Sequence, residues 1–230
     1  MKKVLITGGN GLLGKRLRQL LESKGFCIIA SGLGKDRLEE HNHSYIELDV
    51  TNKTQCLQVI QENNPDVIVN AAAMTNVDGC EINQKECLQI NTDSISNLNI
   101  SKNRHFIQIS TDFVFDGVIG NYVESDEPNP LSIYATSKHE AEKLLTSSDY
   151  INWSIVRTII VFGEGENLSR SNIVLWAREA LRKGDSLKII DDQFRSPTWA
   201  DDLAWACIRI CKLNKKGIYH ISGPERMSIF

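Results

Sequence analysis

Tyr134 and Lys138 stand four residues apart in the stretch IYATSKHEAEKLL, so both side chains share one face if that stretch is helical. A free phenol titrates near ~10 and a lysine amine near ~10.4. An ammonium beside a phenol favours phenolate, so the spacing predicts a lowered pKa for Tyr134. Such a tyrosine can give a proton to a carbonyl that is accepting hydride, or take one back in the reverse direction. Tyr-x-x-x-Lys alone is a common accident of surface helices, and its position is what gives it weight. It follows Ser110-Thr111-Asp112, which closes the apolar run HFIQIST. A hydroxyl at the carboxyl end of a parallel strand lies beside a cofactor crevice, so Thr111 is expected to hydrogen-bond the reacting carbonyl.

A hydride donor needs a binding site, and ITGGNGLLGKRLRQLL, residues 6 to 21, is the candidate. Gly8, Gly9, Gly11 and Gly14 fall within seven positions, between an apolar run and a leucine-spaced helix. Glycine permits a turn with positive φ and lets a pyrophosphate approach the backbone. The last glycine lets the helix lie close to its strand, and free N–H groups at the helix start receive the phosphate charge. In this strand–turn–helix setting the pattern predicts a dinucleotide. A carboxylate for the ribose 2′-hydroxyl belongs near position 31. The sequence has Ser31-Gly32-Leu33-Gly34-Lys35-Asp36-Arg37 there, with no acid at the strand end and two cations after it. NADP is therefore the expected cofactor, with NAD left open.

The elements that must hold these residues alternate. Strands are expected over Lys3–Thr7, Phe26–Ala30 and Tyr45–Leu48, and at DVIVNAAA, HFIQISTDFVF and NWSIVRTIIVFG. Leu13, Leu17, Leu20 and Leu21 mark one helical face. Thr51 is expected to cap a helix through Ile60, stopped at Asn63-Asn64-Pro65. Tyr134 to Leu145 reads as a helix, as do Asn172 to Arg182 and Ala200 to Cys211, with strands at Ser186–Ile190 and Ile218–Ser222. Strands that are apolar throughout and separated by helices imply a parallel sheet covered on both faces. The expected fold is α/β, a Rossmann-like doubly wound sheet. Residues 1–162 would bind the dinucleotide, and residues 163–230 would form a small substrate lobe interleaved with the sheet.

The chain has 230 residues, 41% of them hydrophobic and 24% charged, as in ordinary soluble domains. A net charge of −3 supplies no basic field, so no nucleic-acid or membrane partner is expected. Apolar runs are too short to span a bilayer, and MKKVLITGG lacks the apolar core of a signal peptide. Cysteines 27, 56, 80, 87, 207 and 211 form no CxxC, which fits reduced thiols in a cytoplasmic protein. No metal site is expected: His41 and His43 read as a polar loop, and Asp191-Asp192 and Asp201-Asp202 as turn and helix-cap residues. His139 should point away from the Tyr134–Lys138 face into solvent. Trp176, Trp199 and Trp205 read as core or lobe-packing residues. Arg195, in QFRSPT, is a candidate for a nucleotide phosphate.

The stretches ITGGNGLLG, LDVTN, PDVIVNAAAMTNVD, ISTDFVFDG, YVESDEPNPLSIYATSKHEAE and DDQFRSPTWADDLA together resemble the extended short-chain dehydrogenase/reductases, within them the dTDP-4-dehydrorhamnose reductase branch. The resemblance spans nearly the whole chain. It implies that Gly8, Asn10, Gly11, Leu12, Leu13 and Gly14 bind the pyrophosphate region and that Asp49 and Val50 line the adenine. Ala71, Ala72 and Ala73 would run beside the cofactor. Thr111, Tyr134 and Lys138 would be the catalytic triad, with Tyr134 and Lys138 also touching the cofactor. Asp112, Phe113 and Phe162 would face a nucleotide-linked 4-keto-6-deoxysugar. Ser31, Lys35 and Arg37 would meet the adenosine ribose.

The branch usually carries a tryptophan after the Arg-Thr of the sixth strand, where this chain has Ile159-Ile160-Val161-Phe162. The chain ends at YHISGPERMSIF, where relatives continue for some tens of residues, so part of the substrate lobe is expected to lie beyond it. The same branch includes the regulatory subunit of methionine adenosyltransferase, which leaves a non-catalytic, NADP-binding role as the alternative, alongside another nucleotide-sugar epimerase or reductase. A homodimer is left open.

Overall fold

The computed structural model describes residues 2–98, 104–147, 152–165, 167–168 and 172–230. Its first half alternates strand and helix: β1 (Lys3–Thr7), α1 (Leu12–Ser23), β2 (Cys27–Gly32), β3 (Ser44–Glu47), α2 (Lys53–Asn63) and β4 (Val67–Asn70). Short helices α3 (Val77–Ile82), α4 (Gln84–Leu88) and α5 (Ser94–Leu98) lead to β5 (His105–Thr111). Then come α6 (Ile133–Ser147), β6 (Trp153–Thr158), β7 (Val161–Phe162) and α7 (Ile173–Lys183). The chain closes with β8 (Phe194–Arg195), β9 (Thr198–Trp199), α8 (Ala200–Leu213), β10 (Gly217–Ile221) and β11 (Met227–Ser228).

Among the described residues, seven strands form one sheet in the order β10-β6-β5-β4-β1-β2-β3, all pairs parallel. This is the doubly wound α/β architecture of the Rossmann type. The order reverses between β1 and β4, and a crevice opens at the carboxyl ends of these strands. Successive side chains point to opposite faces. Val4 and Ile6 thus pack with Leu13, Leu17 and Leu21 of α1 and Leu203, Ala204 and Cys207 of α8. Leu5 goes the other way, with Val59 and Ile60 of α2, Leu98 of α5, and Ala141 and Leu145 of α6. The second half is not a separate layer, because β10 extends the main sheet and α8 lies against α1.

Several expected boundaries move. Asn52, not Thr51, caps α2, its side chain accepting from Gln55 N at 3.1 Å. The sixth strand ends at Thr158, because Ile160 takes φ +38°, and Val161–Phe162 leaves to pair with Thr198–Trp199. The fourth strand ends at Asn70, before the alanines, and the fifth ends at Thr111 in a 3₁₀ turn over Asp112–Val114. Residues 186–190 alternate but form no strand, since no described strand offers them a ladder partner. The acidic pair at the start of α8 does not cap it. Trp199 is the cap residue, and Asp201 is the ion partner of Arg16 on α1. Trp176, Trp199 and Trp205 are substantially exposed rather than core.

Candidate active site

The glycine turn is tight by necessity. Gly8 has φ +67°, and a Cβ there would lie 2.6 Å from the Ala71 carbonyl. A Cβ on Gly14 would stand 2.2 Å from Gly8 O and 2.8 Å from Gly9 Cα. The turn is therefore drawn against the end of β4, and α1 against the turn. Gly11 is the N-cap of α1 and no side chain caps it, so the first amides are left for an incoming anion. A cradle that any Cβ would fill, beneath an uncapped helix start, fits the phosphates of a dinucleotide.

Around the turn the predicted residues divide. The Asn10 side chain is committed to the loop after β2: it donates to Lys35 O at 3.0 Å and to Tyr45 Oη at 2.7 Å, and accepts from Arg37 N at 3.0 Å. Ser31 is buried and donates to Ile6 O at 3.1 Å, so its hydroxyl serves the sheet. Lys35 and Arg37 are exposed. Leu12 is half-buried at the turn, whereas Leu13 and Val50 belong to the core. Asp49 accepts from Thr51 N and Oγ1 at 2.9 and 2.7 Å. Ala71, Ala72 and Ala73 are half-buried along the crevice, and Ala72 N donates to Thr7 Oγ1 at 3.3 Å.

Beneath the crevice, Thr7 Oγ1 donates to Asn70 Oδ1 at 2.5 Å and Asn70 Nδ2 to Gln108 Oε1 at 2.8 Å. This buried polar row crosses β1, β4 and β5. The sequence reading missed it, although polar residues interrupting apolar strands near their carboxyl ends were a usable signal.

At the end of β5, Thr111 lies beside Tyr134 of α6. Tyr134 lies in the first turn of α6 with Lys138 one turn on, 3% exposed. The Thr111 hydroxyl lies close enough to the Tyr134 phenol to favour its phenolate, accepts from Phe113 N at 3.2 Å and lies 3.2 Å from Asp112 Oδ1. Burial pushes the phenol up to about 12, against the pull of Thr111, and Asp112, Cys80 and Cys87 push the same way as burial. The expected lowering by Lys138 is thus overturned: desolvation of the phenolate outweighs what the shared helix face supplies. Burial also lowers Lys138, to about 8, opposed by Glu142 four residues on.

Beside this group lies a cavity of about 550 Å³, walled in part by Asp112, Phe113, Phe115, Arg157, Arg195 and His220. Burial raises Asp112 to about 6, with Arg195 and Thr111 holding it down. Arg195 Nε is 3.9 Å from Asp112 Oδ2, and its guanidinium lies 5.9 Å from the Phe113 ring centroid. Phe113 meets Tyr134 edge-on at 6.1 Å. Phe162 is not among the residues lining the cavity. The break at Ile160 carries it into the β7–β9 pair, and Ile159 lines the wall instead.

The family model for the RmlD substrate binding domain matches residues 1–230. The chain belongs to this family. It is 35% identical over 238 residues to dTDP-4-dehydrorhamnose reductase of Aggregatibacter actinomycetemcomitans, covering 99% of this chain and 76% of that protein. It is 29% identical over 233 residues to methionine adenosyltransferase 2 subunit beta of Danio rerio, covering 99% and 70%. Among solved structures, dTDP-4-dehydrorhamnose reductase of Bacillus anthracis str. Ames in complex with NADP superposes with a TM-score of 0.85 at 30% identity, covering 99% of this chain and 77% of that one.

In this member of the RmlD family a buried ion pair backs the site, and sequence reasoning missed it. Glu142 faces Arg157 at 2.7 Å and accepts from Ser110 Oγ at 2.5 Å. Arg157 lies over the Phe115 ring at 5.0 Å, and its Nη1 is 3.4 Å from His220 Nε2. A glutamate four residues after Lys138 and an arginine inside an apolar strand were the available signals. His139 does not point freely into solvent, since its Nδ1 is buried without a hydrogen-bond partner among the described residues. His41 and His43 stack at 4.2 Å and are tied to Asp36 and Glu22. Among the described residues no cluster of His, Cys, Asp and Glu is arranged to hold a metal, and no helix is long and apolar enough to cross a membrane.

Proposed function

We propose that the chain is an NADPH-dependent reductase of a nucleotide-linked 4-keto-6-deoxysugar, with dTDP-4-dehydrorhamnose the first candidate. The observation that carries this reading is Thr111 at the end of β5 beside Tyr134, with the buried Lys138 one helical turn on, an uncapped glycine turn at the end of β1, and a cavity of about 550 Å³ lined by the adjoining Asp112 and Phe113. Gly8, Gly11 and Gly14 would seat the pyrophosphate, and Lys35 and Arg37 an adenosine 2′-phosphate. When bound, the dinucleotide supplies hydride to the C4 carbonyl carbon. Thr111 hydrogen-bonds the carbonyl oxygen. Tyr134, which stays protonated at neutral pH, gives that oxygen its proton. Lys138 is charged below about pH 8 and stabilises the phenolate left behind. Asp112 and Arg195 face the sugar from the cavity, and residues 163–230 supply Arg195 and His220, the part expected of a substrate lobe. Six free cysteines fit a cytoplasmic setting.

The test is a panel of nucleotide 4-ketosugars with NADPH, followed at the nicotinamide absorbance. Oxidation with a dTDP-linked member is the expected result. The likeness to methionine adenosyltransferase 2 subunit beta supports a second reading, a binding subunit without turnover. Silence with every sugar while NADPH binding persists would favour it, as would co-purification with an adenosyltransferase.

A further inference from the structure

Asp36 lies four residues past the end of β2, near where a ribose-reading carboxylate belongs in this topology. Its carboxylate is turned inward. Arg18 of α1, with 0% exposure, donates from Nη1 to Asp36 Oδ1 at 2.8 Å and from Nη2 to Oδ2 at 2.5 Å. The same Nη1 reaches Gly9 O in the glycine turn at 3.2 Å, and Nε donates to His43 Nε2 at 2.8 Å. His41 Nε2 stands 2.8 Å from Asp36 Oδ2, and Leu38 N donates to Oδ1 at 3.0 Å. On either side, Lys35 and Arg37 are exposed, their backbone held by Asn10 and, through Arg37 O, by Lys15 Nζ at 2.8 Å. The loop thus hides its carboxylate and presents its two cations beside the dinucleotide turn.

We propose that Arg18 is a positioning residue that sets the preference for NADPH over NADH. By clamping Asp36 inward it keeps a negative charge away from the adenosine 2′ position and leaves Lys35 and Arg37 to receive a phosphate there. This rests on the nicotinamide-nucleotide reading above. A planar guanidinium grips both carboxylate oxygens at once, which no other side chain reproduces. Released, Asp36 would repel a 2′-phosphate and accept from a free 2′-hydroxyl, two effects that act in the same direction on the ratio.

The test measures NADPH and NADH dissociation constants by nicotinamide fluorescence on the full chain, without turnover, for the parent, Arg18→Gln, Asp36→Asn and the double variant. Circular dichroism checks that each is folded. The parent should prefer NADPH. Arg18→Gln should lower that preference by about tenfold or more, the size of one strong charge contact. Asp36→Asn should keep the preference, and adding it to Arg18→Gln should restore it. A folded Arg18→Gln with an unchanged ratio overturns the proposal, as does a double variant no better than the single. The latter would mean that the loop is merely disordered. If Arg18→Gln does not fold, Arg18→Lys keeps the charge without the two-pronged grip and should shift the ratio the same way. A parent that binds both nucleotides but prefers NADH overturns this inference alone, whereas a parent that binds neither overturns the reading beneath it.

Discussion

Glu142 and Arg157 form an ion pair at 2.7 Å in the interior, their side chains 3% and 4% exposed, directly behind the predicted proton-transfer group. Glu142 is one helical turn beyond Lys138, while Arg157 extends from β6 to the cavity wall at Phe115 and His220. The pair joins α6 to the sheet at the point where Lys138 must be held. Removing one partner strands a buried charge, which costs about 3–5 kcal/mol. Arg157→Met should therefore lower unfolding free energy by that amount in urea titration, and Glu142→Gln by less, since an amide still accepts from Ser110 and Arg157. If Arg157→Met unfolds at the parent midpoint, the pair contributes nothing.

Tyr134→Phe keeps the ring that meets Phe113 at 6.1 Å and removes only the hydroxyl. Turnover with a competent ketosugar should drop by roughly 10² to 10⁴, the usual size of general-acid assistance. NADPH affinity should stay within about fivefold, because one neutral hydrogen bond is worth about 1 kcal/mol. Equal losses in binding and turnover would assign the phenol to cofactor anchoring instead.

The parts that sequence made legible are those with a local signature. β1, the glycine turn and α1 follow from glycine spacing and a leucine face, and the strand that ends at Thr111 and the helix that carries Tyr134 and Lys138 from their apolar and helical patterns. Where the reading failed, the cause was non-local. The sign of the Tyr134 shift depends on how deeply the phenol is buried, and helical spacing counts charges but not water. Ile159-Ile160 is as β-branched as the strand before it, and nothing in its composition announces the positive φ that diverts Phe162 from the cavity. Arg157 and Glu142 belong to different elements, so their pairing exists only once β6 lies beside β5 and α6 covers both. The clamp on Asp36 was equally hidden, since Arg18 stands on the polar-looking side of an amphipathic helix whose surroundings a sequence does not display.

Lys138 gives a pH dependence with a definite sign. Burial lowers its amine from 10.5 to about 8. Between those values the unfolded chain holds a proton that the native chain lacks, so this group makes stability rise as pH increases from about 8 to 10.5. Nucleotide binding should move oppositely, weakening above about pH 8 as the ammonium discharges. The buried thiols of Cys56, Cys80, Cys207 and Cys211 are raised in the native chain and push the other way above pH 9, so the Lys138 contribution is read as a difference: in denaturant titrations of the nucleotide-free chain across that range, Lys138→Met should give a less positive slope than the parent. An identical slope in the variant would show that other groups cause it.

Asp112 carries the reverse sign in the acid range. Burial raises its carboxyl from 3.8 to about 6, and the guanidinium of Arg195 is what keeps it from rising further. Between those values the native chain holds the proton and the unfolded chain does not, so this group makes stability rise as pH falls from about 6 toward 3.8. The site changes over the same interval. Above pH 6 the cavity presents a carboxylate beside Arg195, which on the proposed reading would accept from sugar hydroxyls. Below it, a neutral carboxyl leaves the arginine uncompensated. The profile of kcat/KM should accordingly bend near pH 6 in the parent and lose that bend in Asp112→Asn. Arg195→Ala should move the bend upward, because the charge holding the carboxyl down is gone. A bend that persists unmoved in both variants would assign it to a different group, and Asp112 would then face the sugar without titrating in the working range.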